Sequence, residues 1–131
     1  MPFLRFDVIE GRTEQELATL LDAAHRAVLD SFHVPAGDRY QILHEHKPSR
    51  VRIEDTGLGF QRSDKLVVVQ VTSRPRTRDD KIDFYRRLCA ELERSCGINP
   101  KDVMVNFVEN TDPADWSFGF GEAQFVTGAL A

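Results

Sequence analysis

The sequence predicts an α+β fold: a two-layer sandwich made from a duplicated βαβ unit, with a mixed four-stranded sheet and two helices on one face. Three observations carry this. The run Phe3 to Ile9 alternates apolar and polar residues, the period of a strand. Two helix-start signatures, Thr13 with Glu16 and Thr77 with Asp80, stand 64 residues apart. Each is flanked by strand-like runs, so the order strand, helix, strand occurs twice.

In the first strand Leu4, Phe6 and Val8 share one side and Arg5 and Asp7 the other. Gly11 breaks it. Leu17, Leu20, Leu21, Ala24, Ala27, Val28 and Phe32 then recur at helical spacing. Pro35, Gly37 and Asp38 make a turn, and residues 40–44 read as a second strand. Residues 47–65 are irregular around Pro48, Gly57 and Gly59, with a short strand expected at 51–53. The apolar run from Leu66 to Thr72 reads as a strand buried on both faces. The second helix follows, with Ile82, Tyr85, Leu88, Cys89 and Leu92 as its expected stripe and Gly97 as its stop. A last strand spans 103–108, and the aromatic and glycine-rich tail from Trp116 to Leu130 suggests a short hairpin.

The half-repeats are about 2–46 and 65–109, with a tail at 110–131, in one domain spanning 1–131. Sequence identity between the halves is slight, so the architecture repeats rather than the residues. Right-handed crossovers then give two βαβ units sharing one sheet, with the starts of the halves, Pro2 and Leu66, as neighbours. The second sheet face needs cover, which self-association would supply.

Composition narrows the function. A chain of 131 residues, 41% hydrophobic, holds one core. A net charge of −4 argues against a broad nucleic-acid surface. No apolar run is long enough to span a bilayer, so a membrane role is not expected. The first residues lack the regions of a signal peptide, which makes a cytoplasmic location the expectation. Cys89 and Cys96 lie in one helix, roughly 10 Å apart along its axis, too far for a disulfide. They read as reduced, structural thiols.

Few residues are candidates for chemistry. Taken alone, Pro2 reads as a tolerated first strand residue. Removal of Met1 would instead expose a secondary amine, and an α-amino group titrating near ~8 can serve as acid or base. Arg74 and Arg76 flank Pro75 at a strand end, where residues two apart project to one side; they are either solvated or converge on one anion, for which guanidinium forks suit a carboxylate. Asp38 either bonds its own turn or, beside an amine, favours the protonated form. His44 and His46 share a strand face, but no third ligand has suitable spacing, so no metal site is expected. Gly57-Leu58-Gly59 and Gly119-Phe120-Gly121 lack a following helix and do not make a phosphate loop. Trp116, Phe118, Phe120 and Phe125 are either core or the wall of an apolar pocket.

These pieces together resemble one family. Pro2, the Pro35-Ala36-Gly37-Asp38-Arg39-Tyr40 turn, Arg74-Pro75-Arg76 and Asp115-Trp116-Ser117-Phe118-Gly119 resemble the malonate semialdehyde decarboxylase family of the tautomerase superfamily. The similarity extends to Phe6-Asp7, Glu10-Gly11-Arg12-Thr13, Asp55-Thr56-Gly57-Leu58-Gly59 and Val108-Glu109-Asn110. The resemblance implies a homotrimer with sites near subunit interfaces and no cofactor. It implies Pro2 as the catalytic amine, Asp38 as its partner, Arg74 and Arg76 as binders of a small carboxylate substrate, and Trp116, Phe118, Phe125 and Leu130 as an apolar wall. The implied reaction converts a 3-oxo acid such as malonate semialdehyde to an aldehyde and CO2, with Pro2 either hydrogen-bonding to the carbonyl as the protonated amine or forming a Schiff base with it. The same constellation also suits keto-enol tautomerisation of phenylpyruvate-type substrates, or hydration and dehalogenation of unsaturated acids. A reading from another class is a trimeric binding protein without turnover.

Overall fold

The computed structural model describes residues 1–131. Strand β1 (Phe3–Ile9), helix α1 (Glu14–Phe32) and strand β2 (Tyr40–His46) form the first unit; strand β3 (Val67–Ser73), helix α2 (Arg78–Cys96) and strand β4 (Val103–Glu109) form the second. The bounds of β1 and α1 shifted by 64 residues give those of β3 and α2. The sheet order is β2-β1-β3-β4, parallel within each unit and antiparallel where β1 meets β3. The mixed four-stranded sheet and its two packed helices are those expected.

One expectation about that sheet is corrected. Because β1 and β3 run antiparallel, Phe3 pairs with Thr72 and Val8 with Val67. The start of one half therefore lies beside the end of the other half's first strand. Pro2 neighbours the Ser73–Arg74 end, and Leu66 lies at the opposite edge. Pairing direction is a long-range property that strand periodicity does not contain.

Local chemistry explains the helix ends. Thr13 Oγ accepts from Glu16 N at 3.1 Å while the Glu16 carboxylate accepts from Thr13 N at 3.0 Å. These bonds from Thr13 hold the Glu16 carboxyl below its usual range. α1 stops at His33, which turns left-handed at φ 53° and donates its N–H to Leu29 O. Gly97 ends α2 at φ 67°, where a side chain would be strained, and donates to Glu93 O at 3.0 Å.

The core lies between the helices and one sheet face. Leu4, Phe6 and Val8 from β1 meet Val67, Val69 and Val71 from β3, under Leu20, Ala24, Val28 and Phe32 of α1. The stripe of α2 is Phe84, Leu88 and Leu92, one i, i+4 ridge. Ile82 and Tyr85, expected in that stripe, sit on the adjacent row and remain partly exposed. β3 is buried on one face only: Val68 and Thr72 are half-buried and Gln70 is exposed. The expectation of two buried faces fails because nothing in one chain covers the outer side.

Residues 51–53 form no strand; a 3-10 turn at Pro48–Arg50 precedes an extended segment. There the Asp55 carboxylate accepts from the N–H groups of Gly57, Gly59 and Phe60 at 3.2, 2.7 and 3.2 Å. The Gly-Leu-Gly pattern thus wraps a carboxylate, and both glycines adopt positive φ to do so. The tail is no hairpin. It makes a 3-10 turn at Pro113–Asp115, a single bridge between Gly119 and Glu122, and the short helix α3 (Gln124–Thr127). Gln124 explains this, since its side chain accepts from Phe118 N at 2.9 Å and donates to Gly119 O at 2.8 Å. Cys89 and Cys96 are free, half-buried thiols, and burial pushes both up from the ordinary thiol value. No helix is long and apolar enough to cross a membrane.

Candidate active site

The antiparallel β1–β3 register brings the chain's first residues to the Ser73–Arg76 corner. The turn after α1 adds Asp38, whose N–H donates to Pro35 O at 2.9 Å. His25 braces that turn: it is buried on α1 and donates from Nε2 to Ala36 O at 3.0 Å.

Met1 occupies the corner. Its ammonium is ion-paired with Asp38 Oδ1. Its carbonyl accepts from Arg76 Nη2 at 2.8 Å, and its sulfur lies 3.4 Å from Arg74 N. Burial, and next the Arg76 charge, lower the Met1 amine from 8.0 to about 5. Pro2 is buried, and its nitrogen is the amide partner of that Met1 carbonyl. Standard C=O and C–N lengths then place the Pro2 nitrogen at most about 5.4 Å from Arg76 Nη2.

The two arginines differ in setting. Arg76 is half-buried, and burial followed by the Arg74 charge lowers it below the ordinary guanidinium value. Its guanidinium carbon lies 5.2 Å from the Phe32 ring centre. Arg74 lies flatter against the tail, 4.2 Å from the Phe125 ring centre, and its Nη1 donates to Ala131 O at 3.1 Å.

Around these groups open two adjoining cavities, of about 550 and 420 Å³, that share Met1, Asp38, Phe125 and Ala131. The larger is polar and bounded by Arg74, Arg76 and Asn110. The smaller is walled by Tyr40, Phe118, Phe125 and Leu130. Trp116 borders neither cavity; it stacks on Phe118 at 5.5 Å with 7° between planes. The structure therefore brings Pro2, Asp38, Arg74, Arg76, Phe118, Phe125 and Leu130 together and sets Trp116 one ring away. Sequence reasoning missed Tyr40, which lies next to the Asp38 turn and 5.5 Å from the Phe118 ring. It also missed Ser73. The available signals were Tyr40's place two residues after Asp38 and the single hydroxyl ending a valine-rich core face.

The His44–His46 pair has a different partner. Asp7 on the neighbouring strand lies opposite His44 in register. Its Oδ1 accepts from His46 Nε2 at 2.7 Å and lies 3.7 Å from His44 Nδ1. No group of three or more metal-ligating side chains is disposed to hold an ion.

A βαβ-duplicated sandwich whose first residues meet a carboxylate and two guanidiniums beside two cavities has the form of a small enzyme with its site at the chain's first residues. Family models described as tautomerase enzyme match residues 38–119 and 2–61. The probable tautomerase YrdN of Bacillus subtilis (strain 168) is 57% identical over 130 residues, covering 99% of this chain and all of that protein. The probable tautomerase YusQ of the same organism is 29% identical over 127 residues, covering 96% and 99%. Crystal structures of malonate semialdehyde decarboxylase, described as a basis for its decarboxylase and hydratase activities, superpose with a TM-score of 0.96 at 53% identity, covering 99% of this chain and 100% of that one. A symmetric trimer of fused 4-OT shares the fold, with a TM-score of 0.78 at 24% identity over 97% and 99% of the two chains. The chain belongs to the tautomerase family of enzymes.

Proposed function

We propose that the chain, once Met1 is removed, decarboxylates a small 3-oxo acid such as 3-oxopropanoate to an aldehyde and CO2, without a cofactor, through the amine of Pro2. The observation that supports this most is the span of Met1, from its amine on Asp38 to its carbonyl on Arg76. Removing it leaves a slot about one residue long between a carboxylate and a guanidinium, with a new secondary amine on its wall. In that slot Arg74 and Arg76 hold the substrate carboxylate by charge-assisted hydrogen bonds. The C1–C2 bond breaks, CO2 leaves, and the electron pair passes into the carbonyl. The protonated Pro2 amine hydrogen-bonds to the oxygen where that charge gathers. The enolate then takes a proton at C2 and departs as the aldehyde. The Phe118 and Phe125 walls favour neutral CO2 over the charged carboxylate. Similarity to the decarboxylase structures at 53% identity supports the same reading.

The setting of the Met1 amine, lowered by burial and next by the Arg76 charge, supports a second reading. If the same two influences act on a freed Pro2 amine, it is neutral and a base, which suits proton shuttling between keto and enol forms. Nitrogen-15 titration of Pro2 in Met-free protein, beside assays on 3-oxopropanoate and phenylpyruvate, separates the two. The decarboxylase reading expects an amine protonated at neutral pH. In Asp38→Asn the ammonium loses its counter-charge, so the Pro2 titration and the alkaline limb of the decarboxylation profile both move to lower pH. A Pro2 titration that stays in place in Asp38→Asn contradicts the assigned partner.

The chain also works as a homotrimer in this proposal. Tyr40, Ile42, Met104 and Val108 project from the sheet face opposite the helices, with 37–40% of each exposed. Tyr40 belongs to both that face and the smaller cavity, so the site adjoins the contact. Sedimentation is expected to give three times the chain mass of 14.9 kDa, and Ile42→Glu with Met104→Glu to reduce it to the monomer. A wild-type monomer would refute the assembly.

A further inference from the structure

Ser73 closes β3 on its core side, after Val67, Val69 and Val71, and is wholly buried. A buried hydroxyl needs a partner. Ser73 Oγ accepts from Arg76 Nε at 3.0 Å, and Ser73 O accepts from Asn110 N at 2.7 Å, which fixes the backbone carrying it. A guanidinium can grip a carboxylate side-on, through Nε and Nη2, or end-on, through Nη1 and Nη2. With Nε engaged by Ser73, Arg76 retains only the end-on grip.

The other half of the molecule supplies an internal comparison. Shifted by 64 residues, Arg12 stands where Arg76 does, Lys65 where Met1 does, and Ile9 where Ser73 does. Arg12 Nη2 donates to Lys65 O at 2.7 Å, matching the 2.8 Å bond from Arg76 Nη2 to Met1 O. Ile9 offers Arg12 no acceptor, and Arg12 Nη1 is buried without a partner. The strand-end hydroxyl is present only in the half whose arginine borders the larger cavity, about 550 Å³ at Arg76 against about 170 Å³ at Arg12.

We propose that Ser73 is a positioning residue, whose buried hydroxyl engages Arg76 Nε and commits that guanidinium to an end-on grip on the substrate carboxylate. This deepens the proposed function and rests on its claim that Arg76 binds a carboxylate. The test uses Met-free protein, with 3-hydroxypropanoate as an unreactive probe followed by NMR shift titration. Ser73→Ala is expected to raise the probe's Kd about tenfold, the effect of losing one charge-assisted contact. It should also remove the slowly exchanging Arg76 Nε–H resonance, which Arg76→Ala identifies, while leaving Tm within a few degrees. Ser73→Thr should preserve both the resonance and the affinity. If wild type binds the probe and Ser73→Ala binds it equally well, or weakens with the Nε–H resonance unchanged, the inference is overturned while the carboxylate reading stands. If wild type fails to bind, or Arg76→Ala binds as tightly as wild type, the carboxylate reading itself fails and the inference falls with it.

Discussion

Protein that retains Met1 is expected to turn over 3-oxopropanoate at least ~10³-fold more slowly than protein beginning at Pro2, within the span that general acid–base catalysis supplies. Two effects act together. The Pro2 nitrogen in a Met1–Pro2 peptide shares its lone pair with the carbonyl and neither accepts nor donates a proton at neutral pH. Met1 also fills the slot, with its amine on Asp38 and its carbonyl on Arg76. A substrate carboxylate would have to displace both contacts. Separating the two forms, checking them by intact mass and assaying each gives the answer. Equal turnover would remove Pro2 from the mechanism.

Arg76→Ala is expected to lower kcat/KM by about 10²- to 10³-fold, the range for losing one preorganised charge-stabilising group. Arg74→Ala should cost less, because Arg74 leans on Phe125 and the tail rather than facing Met1's carbonyl. Arg76→Lys should not restore activity, since an ammonium cannot bond Ser73 and span both carboxylate oxygens. Stability should not suffer. Arg76 is a half-buried cation beside a like charge, and burial followed by the Arg74 charge disfavours its charged form. Removing it relieves that cost but leaves the buried Ser73 hydroxyl without its partner, so Tm is expected to move by no more than a few degrees in thermal denaturation. A loss of activity accompanied by a large fall in Tm would point to misfolding instead.

The two helices and the strands were legible because their signals are local. Alternation in Phe3–Ile9 survives in the burial pattern, and Thr13 with Glu16 forms the expected reciprocal cap. What depends on partners was less legible. In the α2 stripe Leu88 and Leu92 are buried as expected, but Ile82 and Tyr85 are not and Phe84 is, because these three are similarly apolar and only packing against α1 chooses among them. The outer face of β3, made by Val68, Gln70 and Thr72, is uncovered, since an apolar run reports which residues are present and not what meets them. The same holds at the cavity. Arg74-Pro75-Arg76 stood out as a motif, but its approach to Pro2 follows from the antiparallel meeting of β1 and β3. Ser73 was passed over because a lone serine at a strand end carries no spacing signal; its role rests on Arg76 three residues later.

The pairing of Arg12 with the Lys65 carbonyl reaches beyond its use as a comparison. The Lys65–Leu66 peptide stands where the Met1–Pro2 peptide does, so loss of an initiator methionine can free an amine at one of the two corners only, and the chain holds one candidate reaction centre rather than two.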